Sequence, residues 1–362
     1  MSNSDIRVVP GPANYFSHPG SLERLSDFFS ADQLSRAVWV YGERALAGAE
    51  PFLPAAFHLP EAKKILFTGH CSERDVAGLV QASGDDRAVV IGVGGGALLD
   101  SAKVLARRLG VPLVAIPTIA ATCAAWTPLS VWYSDAGQAL NFEIFDDANF
   151  LVLVEPRIIL NAPAEYLLAG IGDTLAKWYE AVVLAPQPTA LPLTVRLGIN
   201  GALAIRDVLL ASSETALADQ RRGDLTQAFR DVVEAIIAGG GMVGGLGERY
   251  TRVAAAHAVH NGLTVLPQTD KFLHGTKVAY GILVQSALLG QDDVLAQLVQ
   301  AYQRFNLPTT LAAQEVDINN RAELDRVIAH TLRPGESIHY LPVTLTPEVL
   351  RAAFEKVEYF SR

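Results

Sequence analysis

The chain of 362 residues contains only two cysteines, Cys71 and Cys123. Two thiols form at most one disulfide, so the fold must depend on a hydrophobic core and not on a disulfide framework. Hydrophobic residues make up 50% of the chain, and this length allows two domains that each bury a core of useful size. Because scarce cysteine is typical of proteins that work in a reducing compartment, we expect a cytoplasmic protein.

Positive charge and long apolar runs are also scarce. Lys and Arg number 29 against 38 Asp and Glu, which gives a net charge of −9. A basic surface is needed to bind nucleic acid, so we expect no such partner. No stretch is long and apolar enough to span a bilayer, and we expect no export signal because the first residues lack its basic and apolar segments. In the helix predicted at residues 98–109, we expect the charged side chains to face water; these are Asp100, Lys103, Arg107 and Arg108.

The hydrophobic pattern changes near residue 160. Before it, short apolar runs alternate with helical segments, which predicts βαβ units and a mostly parallel sheet covered on both faces. The predicted strands are AVWVY from Ala37, KILF from Lys64, AVVIGV from Ala88, PLVAI from Pro112 and LVLV from Leu151.

After residue 160, apolar residues recur at steps of three and four, which indicates helices. We predict helices at residues 194–210, 225–238 and 294–302, with a glycine-dense break between helices at 239–245. The fold class is therefore α/β. A Rossmann-like parallel-sheet domain at residues 1–160 is followed by an all-helical domain at residues 161–362.

A run of glycines lies between a predicted strand and the helix that follows it. Without side chains, the backbone N–H groups at such a helix start can approach a pyrophosphate, which the helix dipole also favours. The spacing differs from the usual GxGxxG pattern, and a tight strand-to-helix turn that binds nothing is the alternative. The glycines are Gly92, Gly94, Gly95 and Gly96.

The segment after the next strand, AIPTIAATCAAWTPLSVWYSD, offers polar groups. Thr118, Thr122 and Thr127 provide hydroxyls, and Tyr133 provides an aromatic ring. Open α/β sheets bind ligands at the carboxyl ends of their strands, where we expect this segment to lie. The alternative is a polar loop with no ligand.

Asp173, His257 and His274 form a candidate metal site. Two histidines and one carboxylate leave coordination positions free, as a catalytic metal requires. Each residue also has a simpler interpretation: Asp173 could be the N-cap of the helix TLAKWYEAVVLA, and His274 could be a surface residue at a helix start. His257 and His260 lie one helical turn apart, and the spacing alone does not choose between them.

Five ordered motifs resemble the iron-containing alcohol dehydrogenases, in particular their glycerol dehydrogenase branch. They are GVGGGALLDSAK, PTIAAT, GIGDTLAKWYEA, AAAHAVHNGL and FLHGTKVAYG, and the resemblance spans nearly the whole chain. It implies a dehydroquinate synthase-like two-domain architecture, a homo-oligomer, and hydride transfer between a nicotinamide coenzyme and a small molecule, with a metal ion as Lewis acid.

The resemblance also assigns roles to residues. It implies that Asp173, His257 and His274 hold one divalent metal, for which zinc is expected rather than iron. It also implies that His260 lies beside these ligands. It places pyrophosphate on Gly94, Gly95 and Gly96. The residues implied near the nicotinamide portion are Thr118, Ala121, Thr127, Leu129 and Tyr133.

Three positions depart from the glycerol dehydrogenase pattern. Cys123 stands where glycerol dehydrogenases that resemble this chain have an aspartate that binds a polyol hydroxyl. Without this aspartate, the site lacks a negative charge that would repel an anionic substrate. Gly42 stands where NAD-preferring relatives carry an acidic residue, and nearby Arg44 could meet the 2′-phosphate of NADP(H), although Glu43 would oppose it. Ala97 replaces a lysine that often follows the glycines, which weakens one expected phosphate contact.

These observations predict a metal-dependent oxidoreductase that uses NADP(H) or NAD(H). Cys123 and Gly42 favour small 2-hydroxy or 2-oxo carboxylic acids as substrates. The resemblance implies acids such as 2-oxoglutarate or 2-oxobutanoate. Oxidation of polyols such as glycerol with NAD is the alternative within this class. From other classes, a dehydroquinate synthase-like lyase would need basic phosphate-binding residues that are not apparent here, and a dinucleotide sensor would have no use for an open metal site.

Overall fold

The computed structural model describes residues 6–135, 137–185 and 190–362. It divides into two compact units. The sheet unit comprises Val9–Pro163 and Asp219–Met242, and the helical unit comprises Ala164–Ala218 and Val243–Arg362 together with the N-terminal stretch up to Val8. Within the described part of the chain, no helix is both long enough and apolar enough to cross a membrane.

The sheet unit contains a parallel sheet and a separate antiparallel hairpin. The parallel sheet has the order β1-β8-β5-β4-β2-β3, and β6 pairs with β7 in the hairpin. The bounds are β1 (Asn14–Ser17), β2 (Ala37–Tyr41), β3 (Lys63–Leu66), β4 (Val89–Gly94), β5 (Leu113–Pro117), β6 (Leu129–Tyr133), β7 (Ala139–Ile144) and β8 (Leu151–Val154).

The five predicted strands are confirmed as β2, β3, β4, β5 and β8. Strand β4 is buried along its whole length, as expected for a central parallel strand covered on both faces. Strand β1 was not predicted, because NYFS is short and carries a polar residue at each end. The hairpin was not predicted either, since β7 mixes exposed apolar and polar residues.

Helices make up most of the chain from residue 164 onward. The α-helices are α1 (Leu25–Phe28), α2 (Ala31–Ser35), α3 (Glu43–Ala49), α4 (Glu73–Ser83), α5 (Gly96–Leu109), α6 (Pro156–Leu160), α7 (Ala164–Leu184), α8 (Leu193–Arg222), α9 (Gln227–Glu234), α10 (Gly240–Gly247), α11 (Ala255–Leu263), α12 (His274–Leu288), α13 (Asp292–Phe305), α14 (Arg321–Thr331) and α15 (Pro347–Phe360). Short 3-10 helices lie at Ser21–Arg24, Glu50–Phe52, Ala55–His58, Glu248–Thr251, Pro267–Thr269, Ala312–Gln314 and Ser337–Tyr340.

The predicted helical character of the second half is confirmed, but the break at residues 239–245 is wrong. A π-helical turn at Ala235–Gly239 leads directly into α10. A Cβ atom on Gly241 would overlap the indole of Trp126. The glycine therefore makes room for a large neighbour instead of ending the helix.

Asp219–Met242 packs with the sheet unit, although the predicted division at residue 160 assigned it to the second domain. The side-chain Nε2 of Gln220 donates hydrogen bonds to the carbonyls of Ile159 (3.1 Å) and Ala162 (3.0 Å). Phe229 is fully buried. Hydrophobic periodicity predicts that such a segment is helical, but it does not indicate which core the helix joins.

Candidate functional site

Asp173, His257 and His274 lie together in the helical unit, on three different helices. One ligand atom from each lies within 4.8 Å of the others. The Oδ1 atom of Asp173 is 3.5 Å from Nε2 of His257 and 3.2 Å from Nε2 of His274. Asp173 is in the middle of α7, so its interpretation as an N-cap is wrong. The helix start predicted at His274 is confirmed.

Glycines let these helices approach closely. A Cβ atom on Gly172 of α7 would lie 2.5 Å from the carbonyl oxygen of Gly275, and one on Gly275 of α12 would overlap the carbonyl oxygen of Ala169. A Cβ on Gly281 would likewise overlap the carbonyl of Ala256 in α11. The backbones of α7 and α11 are therefore each in direct contact with α12, and this brings Asp173, His257 and His274 together.

The partner of His257 determines its tautomer. Nδ1 of His257 is 2.7 Å from Oε2 of Glu180. A carboxylate at this position only accepts hydrogen bonds, so Nδ1 carries the proton and donates it. Nε2 of His257 then faces Asp173. Its lone pair becomes available to a metal ion once that ion displaces the proton that the two carboxylates favour there.

A chain of hydrogen bonds determines the tautomer of His274 in the same way. Nδ2 of Asn261 donates to Oε2 of Glu336 (2.9 Å), which turns the amide oxygen towards Nδ1 of His260 (3.0 Å). His260 therefore donates from Nδ1 and accepts at Nε2, which lies 3.0 Å from Nδ1 of His274. His274 donates that bond, so its Nε2 lone pair also faces Asp173.

The cluster suits a divalent cation. Among the described residues, no hydrogen-bond donor satisfies the buried Oδ1 of Asp173, although unpaired buried polar atoms are rare. Ligand atoms around a tetrahedral zinc, with bonds of about 2.0–2.1 Å, are separated by roughly 3.3 Å, close to the two carboxylate–imidazole distances. Two imidazole nitrogens and one carboxylate oxygen thus converge, all within 4.8 Å of one another, at a spacing that can hold a metal.

The surrounding charges also favour a cation. Burial disfavours the His257 imidazolium, but the carboxylates of Glu180 and Asp173 outweigh that cost and raise its pKa to about 9. Burial opposes ionisation of Asp173 as well, yet the two imidazoles hold the pKa of this carboxyl well below its ordinary value. By contrast, burial and the nearby His274 and Lys277 hold the pKa of His260 well below its ordinary value, so that imidazole is neutral.

In the sheet unit, the glycine run forms the turn between β4 and α5. Gly95 is the N-cap of α5 and provides no side-chain cap. A Cβ on Gly94 would lie 2.8 Å from Leu98, and one on Gly95 would lie 2.8 Å from Ile119. Glycine is therefore needed for the close packing of this turn, and as the N-cap it has no side chain that could occupy the N-terminus of α5.

The turn meets the segment that follows β5, as predicted from the carboxyl ends of neighbouring strands. The backbone N–H of Thr118 donates to the carbonyl of Gly94 (3.1 Å). A Cβ on Gly96 would lie 3.4 Å from the hydroxyl of Thr122. Ala121 and Cys123 are half-buried in the same segment. The structure thus brings the glycines and the threonine-containing loop together.

Gly42 lies at the same edge of the sheet. It is the N-cap of α3, directly after β2, and β2 pairs with β4. A Cβ at Gly42 would make only ordinary contacts, 3.7 Å from Ala45 and 3.9 Å from Leu98, so packing does not require glycine here. Arg44 is exposed, and its guanidinium forms no ion pair with any described residue.

Thr127, Leu129 and Tyr133 are held at the hairpin. The Nζ atom of Lys103 donates to the carbonyls of Thr127 (3.3 Å) and Leu129. Tyr133 is half-buried, and its backbone N–H donates to the carbonyl of Cys71 (2.9 Å). Its ring packs against a small hydrophobic cluster that contains Cys71, Val76, Val104 and Phe145.

The expectation that Asp100 and Lys103 face water is wrong. They are 6% and 3% exposed, and their charged groups are 2.8 Å apart. Oδ2 of Asp100 also accepts a hydrogen bond from the backbone of Val131 (3.1 Å). This ion pair fixes the start of the hairpin on α5. The sequence signal for this ion pair was the spacing of two opposite charges three residues apart, next to the glycine run.

Comparison with known proteins identifies the family. Residues 12–156 match the family model described as iron-containing alcohol dehydrogenase. Hydroxycarboxylate dehydrogenase A of Escherichia coli (strain K12) is 80% identical over 360 residues, which cover 99% of each chain. The chain belongs to the iron-containing alcohol dehydrogenase family.

The resemblance to the glycerol dehydrogenase branch of the iron-containing alcohol dehydrogenases is also confirmed. A glycerol dehydrogenase of Pseudomonas putida is 34% identical over 96% of both chains. The crystal structure of glycerol dehydrogenase from Schizosaccharomyces pombe matches with a TM-score of 0.85 at 28% identity, covering 100% of this chain and 92% of that one. The protein is therefore an oxidoreductase with the expected architecture, in a family of metal-dependent dehydrogenases that use NAD(H).

Proposed function

We propose that this protein is a metal-dependent oxidoreductase that transfers hydride between NADP(H) or NAD(H) and a small 2-hydroxy or 2-oxo carboxylic acid, such as 2-oxoglutarate or 2-oxobutanoate. The observation that carries the proposal is the convergence of Asp173, His257 and His274 within 4.8 Å. Catalytic sites of this kind use three protein ligands and keep one position for substrate.

Asp173, His257 and His274 would hold one divalent metal. When bound, the metal supplies Lewis acidity towards the substrate oxygen and the nicotinamide supplies the hydride. We favour zinc over iron because the resemblance to the glycerol dehydrogenase branch implies zinc. The three side chains need little rearrangement, since Glu180 and His260 already hold both imidazoles in the required tautomer.

The sheet unit would bind the coenzyme. The N-terminus of α5 at Gly94, Gly95 and Gly96, which no side chain caps, suits a pyrophosphate. Exposed Arg44, beside the small Gly42, suits the 2′-phosphate of NADP(H). The segment that follows β5 would line the nicotinamide portion through Thr118, Ala121, Thr127 and Leu129, with Tyr133 further along the hairpin.

The substrate class rests on Cys123. A thiol at this position lacks the negative charge that would repel a carboxylate substrate, and it is a poor hydrogen-bond acceptor for a diol. The name of the Escherichia coli relative, which is 80% identical, also refers to a hydroxycarboxylate. The similarity to glycerol dehydrogenases keeps polyols as the second candidate class. We further propose a homo-oligomer, by analogy with the family.

A panel assay tests this function. Enzyme reloaded with zinc, iron or manganese would be mixed with NADPH or NADH and with 2-oxo acids, dihydroxyacetone and simple aldehydes, and coenzyme oxidation would be followed. We expect turnover of 2-oxo acids that depends on metal and is lost in Asp173→Asn. Turnover of dihydroxyacetone with NADH alone would contradict the proposed substrate class, and metal-independent turnover would contradict the proposed centre.

A further inference from the structure

Helix α11, which carries His257, begins without a local cap. Its N-cap is Ala254, and the next two residues are also alanines, so no nearby side chain accepts from the first backbone N–H groups. These groups are buried, and unpaired buried donors are costly. Their acceptors must therefore come from elsewhere in the fold.

Two buried side chains from neighbouring helices provide these acceptors. Oε1 of Glu180, on α7, accepts from the backbone N–H groups of Ala254 (2.6 Å) and His257 (3.1 Å). Oε1 of Gln285, on α12, accepts from Ala255 (3.0 Å) and Ala256 (3.3 Å). Each of the two helices that carry the other metal ligands thus contributes one cap to α11.

Glu180 differs from Gln285 in a second contact. Its other oxygen, Oε2, is 2.7 Å from Nδ1 of His257, and the side chain is fully buried. Glu180 follows Asp173 by two helical turns, so both carboxylates lie on one face of α7. The remaining bond of Gln285 goes to the backbone carbonyl of Tyr179 (2.7 Å) and touches no imidazole.

We propose that Glu180 is a positioning residue for the metal centre. It holds the His257 ring with a proton on Nδ1, so that the Nε2 lone pair is available to the metal. This inference rests on the proposed metal site. The carboxylate also makes the imidazole a stronger ligand, because it stabilises positive charge that develops on the ring. His274 has only the neutral His260 at the corresponding position, so the two histidine ligands are supported unequally.

The substitution Glu180→Gln tests the proposal with little change in shape. The two backbone N–H groups require an oxygen acceptor, so the amide oxygen takes the place of Oε1 and the amide NH₂ faces Nδ1 of His257. Nδ1 must then accept, and the ring proton moves to Nε2, where it blocks the metal. We expect zinc affinity to fall by about 10–100-fold, as measured by competition with a chromogenic chelator, with an unchanged circular dichroism spectrum.

Gln285→Met is the matched control, because it removes caps of α11 without changing the partner of His257. We expect it to lower the melting temperature while leaving zinc affinity within a few-fold of wild type. Equal losses of affinity in the two variants would reduce Glu180 to a helix cap and overturn the proposal, as would wild-type affinity in Glu180→Gln. Failure of the wild type to bind zinc, or binding unaffected by Asp173→Asn, would instead refute the metal site itself.

Glu180→Asp provides the test if the glutamine variant does not fold. It keeps the negative charge but shortens the side chain by one methylene, which withdraws the carboxylate from Nδ1. We expect zinc affinity to fall at least several-fold in the folded protein. Wild-type affinity in this variant would show that the 2.7 Å contact is not needed.

Discussion

His260 has no ring nitrogen available for a substrate. Nδ1 faces the side-chain oxygen of Asn261, and Nε2 accepts from His274. For His260→Ala we therefore expect weaker metal binding but an unchanged basic limb in the pH dependence of kcat/KM, because solvent exchanges the transferred proton. pH profiles and solvent isotope effects on the metal-saturated variant provide the measurement. A lost basic limb would identify His260 as the base and contradict this interpretation.

Coenzyme preference is a second property controlled by single residues. Arg44→Ala should lower the ratio of kcat/KM for NADPH to that for NADH by at least about 10-fold, since a charge-assisted hydrogen bond contributes about 1.5–3 kcal/mol. Steady-state kinetics with both coenzymes gives this ratio. Glu43→Gln is the control with the opposite sign, because it removes a negative charge beside the same position. An unchanged ratio in both variants would move the 2′-phosphate site elsewhere.

The sequence predicted which side chains meet at the candidate metal site better than it predicted how the fold holds them there. Asp173 and His274 were identifiable by type and motif, but spacing alone did not separate His257 from His260. The difference lies in what faces each ring: His257 meets Glu180 of another helix, whereas His260 meets its neighbour Asn261. A contact between helices depends on tertiary packing, which local periodicity does not encode.

At the scale of elements, the packing of α7 against α12 determines whether Asp173 and His274 meet. Gly275→Ala would place a methyl group on the carbonyl oxygen of Ala169 and force the two helices apart. We expect a loss of about 1–3 kcal/mol in the free energy of unfolding, measured by urea denaturation, together with weaker zinc binding.

Gly244→Ala, in α10, is the control for Gly275→Ala. A Cβ at Gly244 has nothing within 4 Å, so alanine there should be neutral or stabilising by up to about 1 kcal/mol through helix propensity. A Gly275→Ala variant as stable as Gly244→Ala would show that the contact between α7 and α12 tolerates a methyl group, contrary to our interpretation.

The elements differ in how much of them the sequence revealed. Strand β4 was predicted because VVIGVG is apolar throughout and buried on both faces. The hairpin was not predicted. Apolar Leu140 and Phe142 of β7 are exposed, so the alternation of apolar and polar residues does not show which side of this strand is buried. The glycines of α10 suggested a break, but the need for space next to Trp126 outweighed their low helix propensity.

At the scale of the whole molecule, burial of Cys71 should make the folded protein less stable as the pH rises into the alkaline range. Burial raises the pKa of this thiol to about 12, whereas an unfolded cysteine titrates near about 8.5. Both states are neutral at this position below about pH 8.5. Above it the unfolded chain loses a proton that the folded chain keeps, so Cys71 reduces the free energy of unfolding as pH rises.

Cys71→Ala isolates this contribution. The variant should be less stable than wild type at pH 7.5, and the difference should shrink towards pH 10.5, as followed by urea denaturation at each pH. If the free energies of unfolding of wild type and variant differ by the same amount at every pH in this range, the thiol of Cys71 is not held neutral by burial.

The convergence of α7, α11 and α12 has a thermodynamic consequence for the protein as a whole. A cation bound there would act as a reversible cross-link that closes long loops of chain between residues 173 and 274, because the unfolded chain has no comparable site. Each tenfold rise in free zinc above its dissociation constant should then add about 1.4 kcal/mol to stability. Calorimetry should show a melting temperature that falls in a chelator and no longer responds to zinc in Asp173→Asn, so loss of metal would lower the stability of the fold as well as stop turnover.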